Sequence, residues 1–114
     1  MKRVLQKRNK TAITPSSGNV FADLQLADAD EKHTKVRLAV TINQIIERAR
    51  LSQAAAADAL KINQPKISAL ANYRLDGFSV ERLMNFLNAL GQDVEIVIRK
   101  APGKRAAKIR VTAA

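Results

Sequence analysis

The sequence predicts a mainly α protein, a compact bundle of about four to five helices with one β-strand at its C-terminal end. Three observations predict it. Apolar residues recur at helical spacing through most of residues 28–90. Residues that favour helix starts, Ser52, Asn63 and Ser79, stand in front of three of these stretches. One run alone, Val94–Arg99, alternates and is rich in β-branched residues.

The first helix is expected from about Asp28 to Arg50. There Leu38, Ile42, Ile45 and Ala49 recur along one face, with Glu47, Arg48 and Arg50 around the other side. Ser52 offers an N-cap, because its hydroxyl can accept from a free first-turn N–H. Gln53 to Leu60 follows, rich in alanine and so a strong helix former. Its small side chains let another helix approach. Ala55 stands where a capping box needs Glu or Gln, so that box is incomplete. Lys61-Ile62-Asn63 interrupts the pattern, and Asn63 caps the next helix. Pro65 falls in the first turn, where its missing N–H has no intrahelical partner to lose. Ile67 and Leu70 face inward, and Asp76-Gly77 makes a turn. Ser79 then caps a helix whose Leu83, Phe86, Leu87 and Leu90 form an apolar stripe. Phe78 and Leu83 occupy the two positions of a hydrophobic staple, and Gly91 stands at the C-terminal stop. Phe21, Phe78 and Phe86 read as core residues, and His33 as a surface helix residue.

A lone strand leaves N–H and C=O groups unpaired along both edges, so Val94–Arg99 needs a partner. Two are available. The same strand of a second subunit would pair antiparallel about a two-fold axis through Val97, with Glu95 facing the partner's Arg99. The tail segment Lys108–Thr112 would instead make a weaker pair within the chain.

Charge divides the 114 residues differently. Twenty Lys and Arg stand against ten Asp and Glu, a net +10. Residues 1–10 and 100–114 each hold five bases and no acid, so the whole excess lies in the two ends. The expected divisions are a basic flexible segment at 1–20, a domain at 21–92, a dimerisation strand at 93–99 and a basic flexible tail at 100–114. Solvated tails and tails that touch nucleic acid fit these ends equally well. Within the neutral middle, residues 48–74 carry Arg48, Arg50, Lys61, Lys66 and Arg74 against Asp58 alone. A basic stretch inside a neutral domain points to a polyanion more sharply than the total does.

Enzymatic roles find little material. Cysteine is absent, His33 is the single histidine, and no glycine-rich phosphate loop is present. No catalytic residue, metal ligand or cofactor is therefore expected. No apolar run approaches the ~18 residues of a membrane span, and the basic start lacks the apolar stretch of a signal peptide. A cytoplasmic protein without membrane contact is expected.

Two short capped helices joined by about three residues make a helix-turn-helix. From Gln53 to Asn72, Ala56, Leu60, Ile62, Ile67 and Leu70 fill the apolar positions, Ala57 is small at the helix crossing, and Gln64 opens the second helix. This stretch resembles the helix-turn-helix of the lambda repressor and Cro-like regulators, the Xre family. The longer similarity is to its HigA-type antitoxin branch, in which an Asn-Val-Phe-Ala-Asp-Leu segment precedes the domain, as Asn19–Leu24 does here. A Phe-Ser-x-Glu-Arg-Leu…Leu-Gly-x-Asp-Val-Glu-Ile stretch follows it, as Phe78–Ile96 does here. The resemblance covers residues 18–99. It departs at Lys61, where the family has glycine because the turn needs positive φ. Lysine there costs about 1 kcal/mol unless the turn adapts.

The resemblance implies a sequence-specific DNA-binding repressor, working as a homodimer on a palindromic operator. It also implies a possible second partner, a RelE- or HigB-like ribonuclease toxin; the alternative is a stand-alone or phage-like regulator. The major groove admits one α-helix and shows each base pair as a distinct donor and acceptor pattern. The second helix enters by its N-terminal end. Gln64 can bond an adenine edge, Lys66 can reach guanine or a phosphate, and Pro65 and Ala69 can touch a thymine methyl. Ser68 lies a turn into the same helix. Gln53 matches a family position that holds phosphate and the Gln64 side chain, and Asn72 matches a phosphate-contacting position. Ser52, Lys61, Tyr73 and Arg74 are the other phosphate candidates, though Tyr73 equally suits the edge of the core. Val94, Glu95, Ile96, Val97, Ile98 and Arg99 are the candidate dimer interface. The acidic segment Phe21–Glu31 either meets a basic toxin surface or stabilises the first helix through its dipole.

Overall fold

In a computed structural model the chain is described over residues 19–113, with side chains from residue 29 onward. Four helices follow one another: α1 (Asn19–Arg48), α2 (Gln53–Leu60), α3 (Gln64–Ala71) and α4 (Val80–Ala89). The expected flexible segment 1–20 lies outside the described residues up to residue 18, and its last two residues already belong to α1. So α1 begins nine residues earlier than its apolar stripe suggests and runs for 30 residues. At 1.5 Å per residue it is ~45 Å long and spans the molecule.

The core gathers one face from every helix. Leu38, Ala39 and Ile42 come from α1, Ala56, Ala57 and Leu60 from α2, and Ile67 and Leu70 from α3. Leu75 and Phe78 enter from the α3–α4 link, and Leu83, Phe86 and Leu87 from α4. The expected stripe on α1 runs out at its end, where Ile45 is half-buried and Ala49 exposed. Phe78 and Phe86 meet edge to face at 5.8 Å, a favourable arrangement of ring quadrupoles. The Phe21 side chain is outside the described residues.

Helix starts follow local chemistry. Ser52 accepts from the Ala55 N–H at 3.1 Å, Asn63 from Lys66 at 2.9 Å and Ser79 from Arg82 at 3.0 Å. Helix ends share one device, a pair of backbone bonds that closes the last turn and sends the chain off through a left-handed residue. After α2, the Lys61 N–H donates to Asp58 and the Ile62 N–H to Ala57. The left-handed positions are Arg50 (φ 57), Lys61 (φ 59), Tyr73 (φ 60) and Gly91 (φ 84). The turn at Lys61 therefore keeps its geometry without glycine and carries the strain. Lys61→Gly is expected to relieve it, less the extra freedom given to the unfolded chain. A net gain of about 0.5 kcal/mol, a rise in Tm of roughly 2–4 °C in a thermal melt, is the expected result.

Beyond α4 the backbone of Val94–Arg99 is extended, but no strand pairing occurs among the described residues. The expected C-terminal strand is thus not formed here. Its residues have the right propensity, but a strand exists only against a partner. The intrachain alternative is not formed either: Lys108–Thr112 makes no ladder, and Val111 instead packs on the core.

Candidate nucleic-acid interface

α2 and α3 form the expected helix-turn-helix, and the N-terminal turn of α3 stands clear of the core. The reason is the phase of α3. Ile67 and Leu70 face inward, so Gln64 and Pro65 lie on exposed surface at the helix start. Asn63 satisfies the Lys66 N–H, which leaves the Gln64 side chain uncommitted.

The other candidate readers are placed differently. Lys66 is half-buried, with its Nζ 5.5 Å from the centre of the Phe78 ring. Arg82 also approaches that ring, at 5.8 Å, and lies 5.6 Å from Phe86. The ring face attracts both cations, so the Lys66 charge is drawn toward the start of α4. Ser68 is half-buried, and Ala69 packs against the core. Base contact therefore falls chiefly to Gln64 and Pro65, with Lys66 and Ser68 beside them.

Ser52, Gln53, Lys61, Asn72, Tyr73 and Arg74 are all exposed. They flank α3 in the chain, before α2, between α2 and α3, and after α3. The Ser52 oxygen is occupied as a cap, yet its hydroxyl can still donate. No hydrogen bond joins Gln53 to Gln64, and the Asn72 amide donates back to the Ser68 carbonyl at 2.9 Å. Tyr73 stands off the core, 44% exposed. Lys61, Arg48, Arg50 and Arg74 form no ion pair among the described residues, where Lys35–Glu31 is the clearest pair, at 3.7 Å. Three residues that hold left-handed strain, Arg50, Lys61 and Tyr73, are thus exposed side chains around the helix-turn-helix.

Two supports of α3 were not foreseen from sequence. Asn43 of α1 donates from Nδ2 to the Leu70 carbonyl at 3.2 Å, tying α1 to the last turn of α3. The Lys66–Phe78–Arg82 stack ties its first half to α4. Arg82 lies one helical turn from Phe86, a spacing visible in sequence. Nothing local marks Asn43 or links Lys66 to Phe78.

No group of three or more His, Cys, Asp or Glu among the described residues could hold a metal ion. No helix among them is long and apolar enough to cross a membrane.

Comparison with known proteins agrees with this geometry. A helix-turn-helix domain family matches residues 20–99. A solved structure described as an XRE family transcriptional regulator is 69% identical, covering 76% of this chain and 99% of its own, with a TM-score of 0.74. No curated protein matches.

Proposed function

Because the chain belongs to the Xre family of helix-turn-helix transcriptional regulators, we propose that it is a repressor that reads a palindromic operator as a homodimer. One observation carries the reading: the first turn of α3 offers Gln64 and Pro65 to solvent, flanked in sequence by the unpaired cations Lys61 and Arg74. Gln64 bonds an adenine edge through its amide, which supplies the donor and acceptor that adenine needs. Pro65 touches a neighbouring thymine methyl. Lys66 leaves Phe78 for guanine or phosphate when the groove offers a stronger partner, and Ser68 adds a hydroxyl. Ser52, Gln53, Lys61, Asn72, Tyr73 and Arg74 hold phosphates and set the register.

A single reading helix covers few base pairs. Two copies on half-sites about one helical turn apart give a usable site, which is why a dimer is required. The strand Val94–Arg99 supplies it, pairing antiparallel with the same strand of a second copy. Gln64→Ala is expected to weaken the cognate operator by about 1–3 kcal/mol and to relax one base position. Affinity for random DNA, which rests on phosphates, should stay the same. Equal loss on both, measured by titration at one salt concentration, would reject a reading role for Gln64.

We propose further that the protein is the antitoxin of a toxin–antitoxin pair and represses its own operon. The similarity of Asn19–Leu24 and Phe78–Ile96 to the HigA-type branch supports this. A RelE- or HigB-like ribonuclease encoded beside it should co-purify with the full chain. If the neighbouring product does not bind, the protein acts as a stand-alone regulator and the operator reading is unaffected.

A further inference from the structure

The arm that leaves α4 holds most of the exposed large apolar side chains among the described residues. Ile96 is 75% exposed, Val97 67%, Ile98 91% and Ile109 62%. So much apolar surface on one short segment calls for a cover.

The arm is seated at both ends. Val94 and Val111 are each half-buried and packed on the core, and the Val111 carbonyl accepts from Arg37 Nη2 at 3.4 Å. Between them the chain reverses at a turn that holds Gly103, at φ 62. Setting Val94 opposite Val111 fixes an antiparallel register. Ile96 then falls opposite Ile109, and Lys100 opposite Arg105. Residues 101–104 make a four-residue connection, an ordinary length for a hairpin. One face carries Val94, Ile96, Ile98, Ile109 and Val111. The other carries Glu95, Arg99, Lys108 and Arg110, with Glu95 directly opposite Arg110. A slip by one residue would mix the faces and break the charge pair.

We infer that the arm is a β-hairpin, residues 94–100 against 105–111, whose apolar face and free edge dock on the same hairpin of a second copy. The docking rests on the dimer reading above; the hairpin register does not. Pairing of 94–100 about Val97 uses the edge that 105–111 leaves open, so each dimer has a four-stranded sheet with 94–100 at its centre. That surface is self-complementary, as a two-fold interface must be, since Ile96 meets the partner's Ile98 and Glu95 the partner's Arg99. The same physics explains why one chain by itself shows no ladder. A two-stranded ribbon is marginal in water, whereas more strands and a buried face stabilise it.

The full chain has no cysteine, so engineered pairs report cleanly. Opposed pairs in an antiparallel ladder alternate between wide and close, so Ile96→Cys/Ile109→Cys and Glu95→Cys/Arg110→Cys together include a close one. Under mild oxidation at least one of them should form a disulfide within a single chain. Its yield should exceed by roughly tenfold that of Ile96→Cys/Lys108→Cys, whose side chains would lie on opposite faces. No excess over that control, or disulfides only between chains, would overturn the hairpin. An intrachain disulfide in a protein that sediments as a monomer would overturn the docking surface. Neither result touches reading by α3, which the Gln64→Ala titration measures separately.

Discussion

Leu70→Ala is expected to destabilise the domain by about 2–5 kcal/mol, a large share of the total stability of a small domain. Leu70 is fully buried on the inner side of α3. Truncation removes the transfer energy of the lost methyl groups and leaves a cavity that only partly collapses. The surroundings resist collapse, because Asn43 holds the Leu70 carbonyl from α1 and the Tyr73 N–H closes on the same oxygen at 3.2 Å. Urea unfolding followed by helical circular dichroism would measure the loss. A change below 1 kcal/mol would mean that α3 does not rest on the core as described. Operator affinity, corrected for the folded fraction, should fall less than with Gln64→Ala.

Ile96→Asp is expected to act in the opposite way, on assembly and not on the fold. Ile96 is largely exposed in the single chain, so the helical melt of each subunit should barely move. In the dimer the aspartate would face the partner's Ile98 and bury a carboxylate with no counter-charge, which apolar surroundings penalise heavily. The protein should sediment as a monomer. Each half-site would then be bound independently, and operator affinity should fall about 10²–10⁴-fold with the loss of linkage. An intact dimer would show that the strand is not the interface.

Much of the fold was legible in the sequence because it is decided within a few residues. Ser52, Asn63 and Ser79 cap helices because a side-chain oxygen reaches an N–H one turn ahead. Gly91 and Lys61 take positive φ because the last turn of a helix can close only that way. The helix-turn-helix, and Gln64 at its reading end, followed from the same local spacing. The start of α1 was less legible. Residues 19–27 have no clear apolar stripe, so periodicity put the boundary near Asp28, whereas the helix runs back to Asn19.

The candidate site divides along similar lines. Exposure of Gln64 and Pro65 follows from the phase of Ile67 and Leu70, which the sequence displays. The position of Lys66 does not, because the Phe78 ring that attracts it lies across a loop. Ala69 was read as a base contact from its place in the helix, yet it leans on the core, a matter of how neighbouring helices cross. Asn43 gave no signal, because a polar residue on a long helix means little until its partner's carbonyl is in place.

From sequence alone, then, this protein is a neutral helical domain with a helix-turn-helix and basic ends, and the family resemblance rests on those residues. Helix caps, helix phase and turn geometry are near-neighbour effects, so the order of residues suffices to determine them. Tertiary structure decided which cations stay free, which residue steadies α3, and that Val94 and Val111 both seat on one core. Those depend on contacts between residues far apart in the chain, which exist only once the helices have packed. The Val94–Arg99 segment shows the boundary clearly: its β propensity is local, but its hydrogen bonds need a second strand.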